Sequence, residues 1–241
     1  TGNSFAPHIH FEYRDSKSVP LNPLTMAFEL EDQIMPVARE LAVIPLSQNA
    51  LVNASPLTQT FPLFRDKSGI YHFPDTISVF GEFGFAMNVV DKREGTNNIY
   101  QFHRAELMVD GNLEFELSYD QIPFNQGKFA KTMIEYDLKR KNLGEFQKLY
   151  RLPEHRKISI HSSDKSGILG LAPGVHSVEI RIFDAHGNKT IIKGTVAATF
   201  PMTLEASEIF RDDKVVILAL SPKRGGLAIR DAVVYSFTKY G

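Results

Sequence analysis

His8 and His10 stand one residue apart in the stretch "PHIHFEYR", the first place in this chain where residue type and spacing could do chemistry. A strand sends alternate side chains to opposite faces, so His8, His10 and Glu12 share one face and Ile9, Phe11 and Tyr13 the other. Two imidazoles pointing the same way can meet one small ion, and neutral imidazole is a common zinc ligand, with the Glu12 carboxylate as a further oxygen donor. Zinc held this way would lower the pKa of a bound water and make a hydrolytic nucleophile. On a solvated face the same pair would do nothing.

The other histidines, at 72, 103, 155, 161, 176 and 186, are scattered. His103 and Glu106 would align on a helix but diverge on the strand expected there, which disfavours a local metal pair. His186 falls in an expected hairpin turn, where exposed polar residues are ordinary, and His155 and His161 flank basic residues and are expected to be solvated. The Gly-x-Ser-x-Gly elbow of serine hydrolases is absent, which leaves only a triad assembled in three dimensions. "SGILGLAPG" lacks the lysine and hydroxyl residue of a phosphate loop and reads as a connection.

The elements that must position these residues repeat with a period of two. "LEFELSY" sets Leu113, Phe115 and Leu117 against Glu114 and Glu116, and "VEIRIF" sets Val178, Ile180 and Ile182 against Glu179 and Arg181. Both are half-buried antiparallel strands. Asp110-Gly111 and Gly187-Asn188 mark hairpin turns. Further strands are expected at 40–46, 59–64, 75–80, 84–90, 103–109, 157–161, 189–199, 214–220 and 231–237, a spacing that suits a sandwich of two sheets. Between strands, "GKFAKTMIEYDLKRKNLGEF" places Phe129, Met133, Tyr136 and Leu138 at roughly helical spacing and predicts one short inserted helix. Pro36 argues against a helix across "FELEDQIMPVARELAV".

At 241 residues the chain can bury a sizeable core. Lys and Arg total 27 against 28 Asp and Glu, a net charge of −1, which offers no broad basic surface for nucleic acid. Apolar runs are strand-length, far short of the roughly 20 residues of a membrane-spanning helix. With no cysteine, thiol catalysis, disulfides and thiolate metal sites are excluded together. No charged-then-apolar segment precedes Thr1, so no signal peptide is read in this chain.

The run "TGNSFAPHIHFEYRD" followed by "VPLNPL" resembles the C-terminal end of the catalytic domain of lysostaphin-type zinc endopeptidases, also called LytM-like or murein peptidases. Thr1, Gly2, Ser4, Pro7, His8, His10, Phe11, Glu12, Arg14, Pro20, Asn22 and Pro23 carry the resemblance, in order. It implies that His10 is a zinc ligand and that His8 handles the proton of the attacking water and stabilises the intermediate. The family's other two ligands come from an upstream His-x-x-x-Asp motif, which is not among these residues. Residues 28–200 look, more loosely, like the immunoglobulin-like β-sandwich that follows the peptidase domain in some bacterial members.

The expected fold is therefore mainly β: an antiparallel immunoglobulin-like sandwich with a short inserted helix (28–200), preceded by a remnant of a zinc-peptidase β domain (1–27). Residues 201–241 carry further strands, the start of another module. The expected function is a truncated C-terminal portion of a murein-type zinc metallopeptidase, not a peptidase by itself. Zinc would be absent or substoichiometric, and the partners would be the missing N-terminal catalytic segment and peptidoglycan peptide, with the cell envelope or periplasm as location. Two alternatives stand beside it. One is a promiscuous ester or phosphoester hydrolase with a site rebuilt on His8, His10 and Glu12. The other is a glycan- or protein-binding module using the chain's 18 Phe and 8 Tyr, although most of those rings are expected in the core. The unpartnered opening strand invites edge-to-edge pairing and hence a homodimer.

Overall fold

Alternation along the chain becomes two faces in space. In the computed structural model, which describes residues 11–26, 31–153, 155, 158–160, 163–199, 204–211 and 216–222, Phe115, Leu117, Val178, Ile180 and Ile182 are buried while Glu114, Glu116, Glu179 and Arg181 lie towards solvent. The elements in chain order are β1 (Tyr13–Arg14), β2 (Pro20–Leu21), α1 (Pro23–Met26), β3 (Val37–Pro45), β4 (Leu51–Val52), β5 (Gln59–Pro62), β6 (Phe64–Arg65), β7 (Tyr71–His72), β8 (Ile77–Phe80), β9 (Phe83–Lys92) and β10 (Ile99–Tyr100). They continue with β11 (Arg104–Val109), β12 (Asn112–Ser118), α2 (Gly127–Ala130), α3 (Tyr136–Arg140), β13 (Gln147–Lys148), β14 (Gly174–Phe183), β15 (Lys189–Ala198), β16 (Leu204–Arg211) and β17 (Val216–Pro222). The chain divides into two compact units, Thr1–Thr199 and Phe200–Gly241; in the second, β16 and β17 form an antiparallel pair.

The first unit is built on a five-stranded sheet, ordered β10-β9-β3-β5 with β13 also on β9, and an eight-stranded sheet ordered β12-β11-β14-β15-β7-β6, with β8 pairing β15 and β4 pairing β8. Their inner faces share one hydrophobic core, in which Leu41, Phe85 and Met87 of the first sheet meet Leu107, Phe115 and Ile180 of the second. The fold is mainly β with antiparallel pairing and a short helical insert. One departure from the expected pattern is that β15 pairs in parallel with β7 and β8. Phe73, just after β7, packs its ring where a side chain on Gly194 would be, and its N–H donates to the Lys193 carbonyl. That contact lays the 71–80 segment along β15 in the same direction.

The hairpin signals are met locally. Asp110 and Gly111 sit at φ 48° and 77°, the pair of positive values that a tight two-residue hairpin requires and that Gly adopts without steric cost. β3 begins directly after Pro36, as a proline at that point predicts.

Two expectations are corrected. The inserted helix is broken: a 3-10 turn at Phe124–Gln126, α2, a second 3-10 turn at Lys131–Met133 and then α3, with Ile134 extended between them at φ −82°, ψ 137°. The break follows from where the apolar residues go. Met133 enters the core between the sheets, whereas Leu138 packs with Phe146 and Tyr150 on the far side of the five-stranded sheet, so no single helical stripe serves both. Tyr136, read as part of that stripe, is 69% exposed. The second correction is the strand expected at 157–161. The described residues there form a turn, in which Ile158 and Ile160 plug the core and the Ile160 carbonyl accepts from the Ser118 N–H. The strand expected at 231–237 lies outside the described residues.

Candidate functional site

His8 and His10 lie outside the described residues. Glu12 is exposed, and its carboxylate is engaged by Arg14, whose Nε donates over 2.7 Å and whose guanidinium also lies 5.0 Å above the Phe124 ring. Beyond it the chain turns at Asp15, whose Oδ1 accepts from Lys17 N–H (2.9 Å) and Val19 N–H (2.8 Å). The closing "PLNPL" segment then docks on the sandwich. Asn22 N–H donates to the Asp120 carbonyl at 2.7 Å, its Nδ2 donates to the Tyr119 carbonyl at 3.2 Å, and its Oδ1 accepts from Leu24 N–H at 3.0 Å. Residues 20–24 thereby form one wall of a cleft of about 1090 Å³, with Phe102, Tyr119 and Ile122 among its apolar lining. Burial pushes the Tyr119 phenol well above its ordinary value. Among the described residues Asp91 Oδ1, at this cleft, is buried without a hydrogen-bond partner.

A second constellation was not foreseen from the sequence. Asp32, Asp184 and His186 bring ligand-capable atoms within 4.8 Å of one another and could hold a metal ion. The β14–β15 turn supplies two of them. Asp184 Oδ1 accepts from the backbone N–H groups of His186 and Asn188, both at 2.8 Å, which folds the turn back on its own carboxylate. Asn188 Nδ2 then ties the turn to the segment before β3, donating to Asp184 Oδ2 at 2.6 Å and to the Asp32 carbonyl at 2.8 Å. Thus His186, expected to be an exposed turn residue, is partly buried against Asp32, with its Nδ1 3.8 Å from Asp32 Oδ2. Arg93 donates from Nη2 to His186 Nε2 at 3.1 Å, which places the ring proton on Nδ1. Asp91, only 6% exposed, is raised to about 7, first by loss of solvent and then by the charges of Asp184 and Asp32.

His155 is likewise buried, at 1% exposure, not solvated as its basic neighbours suggest. Its Nδ1 accepts from Leu152 N–H and its Nε2 faces Thr132 Oγ1 at 2.8 Å, contacts that give the buried ring polar partners. His103 pairs with Asp120 instead of Glu106.

The described histidines also answer the question of a hydrolase triad. Asp66, Asp110 and Asp120 each bind a histidine and a serine hydroxyl: His72 and Ser68, His176 and Ser177, His103 and Ser118. In a catalytic triad the imidazole lies between hydroxyl and carboxylate. In these three groups the carboxylate lies in the middle, so the serine has no base beside it and the arrangement is structural. At one of them the Nδ1 of His176 meets Asp110 at 2.6 Å and its Nε2 meets the Ala172 carbonyl at 2.7 Å, a doubly donating ring. These contacts raise His176 above its ordinary value and hold Asp110 below its own.

The sign of the resulting pH dependence is fixed. The His176 contribution to stability is complete below about 6.5, the ordinary histidine value, and is lost as pH rises through the raised folded value. That of Asp110 is present above about 3.9 and is lost as pH falls through its lowered one. An NMR titration should place the His176 midpoint above 6.5, and His176→Gln should flatten the alkaline side of the melting-temperature profile. A midpoint at or below the ordinary value would contradict the pairing.

Among the described residues no helix is long and apolar enough to cross a membrane. Compared with protein-family models, with curated proteins and with solved structures, the chain finds no match in any of the three, so its site rests on its own geometry.

Proposed function

We propose that this chain contributes the last metal-binding strand and an accessory β-sandwich to a zinc metallopeptidase of the lysostaphin type, acting on peptidoglycan peptide in the cell envelope. His10 is the zinc ligand of that strand and His8 the group that handles the proton of the attacking water. Zinc, when bound, supplies a water of lowered pKa and a Lewis acid for the scissile carbonyl. A catalytic zinc commonly takes three protein ligands, and by the resemblance this strand gives one. The chain alone is accordingly a positioning and binding element, not a peptidase.

The observation that supports this reading most is the docking of the closing segment. Asn22 fastens the chain leaving the His-x-His strand to the 119–122 edge of the sandwich, through Asp120 and Tyr119. Asn22 and Tyr119 also wall the cleft, whose lining is mainly apolar and suits a peptide. The test measures zinc content and cleavage of peptidoglycan peptides in the wild type and in His8→Ala and His10→Ala variants. Expected are weak zinc at the opening strand, lost with His10→Ala, and no turnover. A tightly held zinc that depends on both histidines, with robust peptide hydrolysis, would overturn the reading in favour of a stand-alone metal-dependent hydrolase.

A further inference from the structure

We propose that Asp32, Asp184 and His186 form a second metal site, distinct from His8 and His10, that takes a divalent ion of the zinc class and staples the chain entering β3 to the β14–β15 turn. The spacing is the first argument. His186 Nδ1 and Asp32 Oδ2 are 3.8 Å apart, too far for a hydrogen bond, yet a separation that one ion bridges with ligand bonds of about 2.0–2.2 Å on each side. Asp32 Oδ1 already accepts from Ile34 N–H, which orients the carboxylate. Asp184 spends Oδ1 on two backbone donors and Oδ2 on Asn188, and a carboxylate offers about four lone-pair sites, so Oδ2 retains one.

Asp91 is the second, independent argument. It is 94% buried, its Oδ1 has no hydrogen-bond partner among the described residues, and the charges of Asp184 and Asp32 both act on it. Buried carboxylates that act on one another are costly without a nearby positive charge, and the guanidinium of Arg93 is spent on His186 Nε2. A divalent ion held by Asp32, Asp184 and His186 would supply that positive charge. Ligand type then selects the ion. Calcium and magnesium prefer oxygen donors throughout, whereas an imidazole among carboxylates suits zinc and its first-row neighbours. Burial points to a structural role: the Asp32 side chain is 3% exposed and Asp184 2%, and only His186 opens partly to solvent.

Arg93 sets the exchange that must accompany binding. Its guanidinium donates to His186 Nε2 and leaves the ring proton on Nδ1. A metal on Nδ1 moves the ring proton to Nε2, which can no longer accept, so Arg93 must turn away. Metal and guanidinium therefore compete for the same imidazole.

The experiment uses the full chain carrying His8→Ala and His10→Ala, so that zinc counted here does not come from the opening strand. After chelator treatment, zinc chloride is titrated by calorimetry, and the ¹⁵N resonances of the His186 ring and the thermal melt are followed. Expected are one zinc per chain, a raised melting temperature, displaced His186 ring resonances and no response to calcium or magnesium. Asp32→Asn and His186→Gln should each weaken zinc by at least about tenfold, and Arg93→Gln should tighten it. Absence of zinc binding in this background, or zinc binding that leaves the His186 ring resonances unmoved, overturns the proposal. The ring resonances decide even where a substituted chain fails to fold. With the wild-type chain titrated alongside, zinc that it binds beyond the His186 site would support both this site and the opening-strand assignment; zinc bound by the wild type alone, with the His186 ring unmoved, would sink this one alone.

Discussion

Replacing Asp184 by alanine is expected to destabilise the folded chain by roughly 3–4 kcal/mol, because buried donors left without an acceptor cost about 1–3 kcal/mol each. Asp184 is 2% exposed, and its carboxylate accepts from His186 N–H, Asn188 N–H and Asn188 Nδ2. Of these donors Asn188 Nδ2 keeps another partner, the Asp32 carbonyl. Asp184→Asn should lie between alanine and the wild type: an amide oxygen can still receive the backbone donors, but its NH2 would face the Asn188 amide. The same two variants should let Asp91 titrate lower, since the Asp184 charge is the largest influence on it after burial. Urea denaturation measures the first effect and carboxyl-carbon NMR the second. A loss below about 1 kcal/mol, the net worth of one ordinary hydrogen bond, would mean that the turn holds itself without the carboxylate.

Gly167→Ala is the second large effect, roughly 2–5 kcal/mol. Gly167 has φ +71°, and a Cβ there would sit 2.3 Å from the Leu149 carbonyl oxygen, 2.9 Å from Phe115 Cβ and 3.0 Å from Tyr150 Cα. The left-handed backbone costs a non-glycine residue about 1–2 kcal/mol, and overpacking adds about 1–3. Two of the colliding atoms are backbone, so no rotamer change relieves them. Gly95 is the control: φ is +74°, with nothing within 4 Å of a Cβ, so Gly95→Ala should carry the conformational cost alone. Chemical denaturation of the pair separates the two contributions, and equal losses would show that the close approach at Gly167 is not what fixes it.

Much of the β architecture is legible along the chain because it depends on neighbours in sequence. Alternation in "LEFELSY" and "VEIRIF" sorts the faces, Asp110-Gly111 reverses the chain, and Pro36 sets the start of β3. The His8, His10 and Glu12 pattern and its resemblance to a zinc-peptidase strand also belong to the sequence alone. What needed the tertiary structure is whatever joins distant segments. His155 reads as solvated beside basic residues, yet Thr132 and the Leu152 N–H give its ring partners in the interior. Met133 and Leu138 read as one stripe until they are found on opposite sides of the five-stranded sheet. The Asp32, Asp184 and His186 group had a partial signal in "FDAHGNKT", whose aspartate and asparagine build a turn on themselves, but nothing near His186 in sequence announces Asp32. Period and turn chemistry act over a few residues and so are written locally. A ligand set depends on which loops the packed sheets bring together, and only the folded chain brings the approach to β3 against the β14–β15 turn.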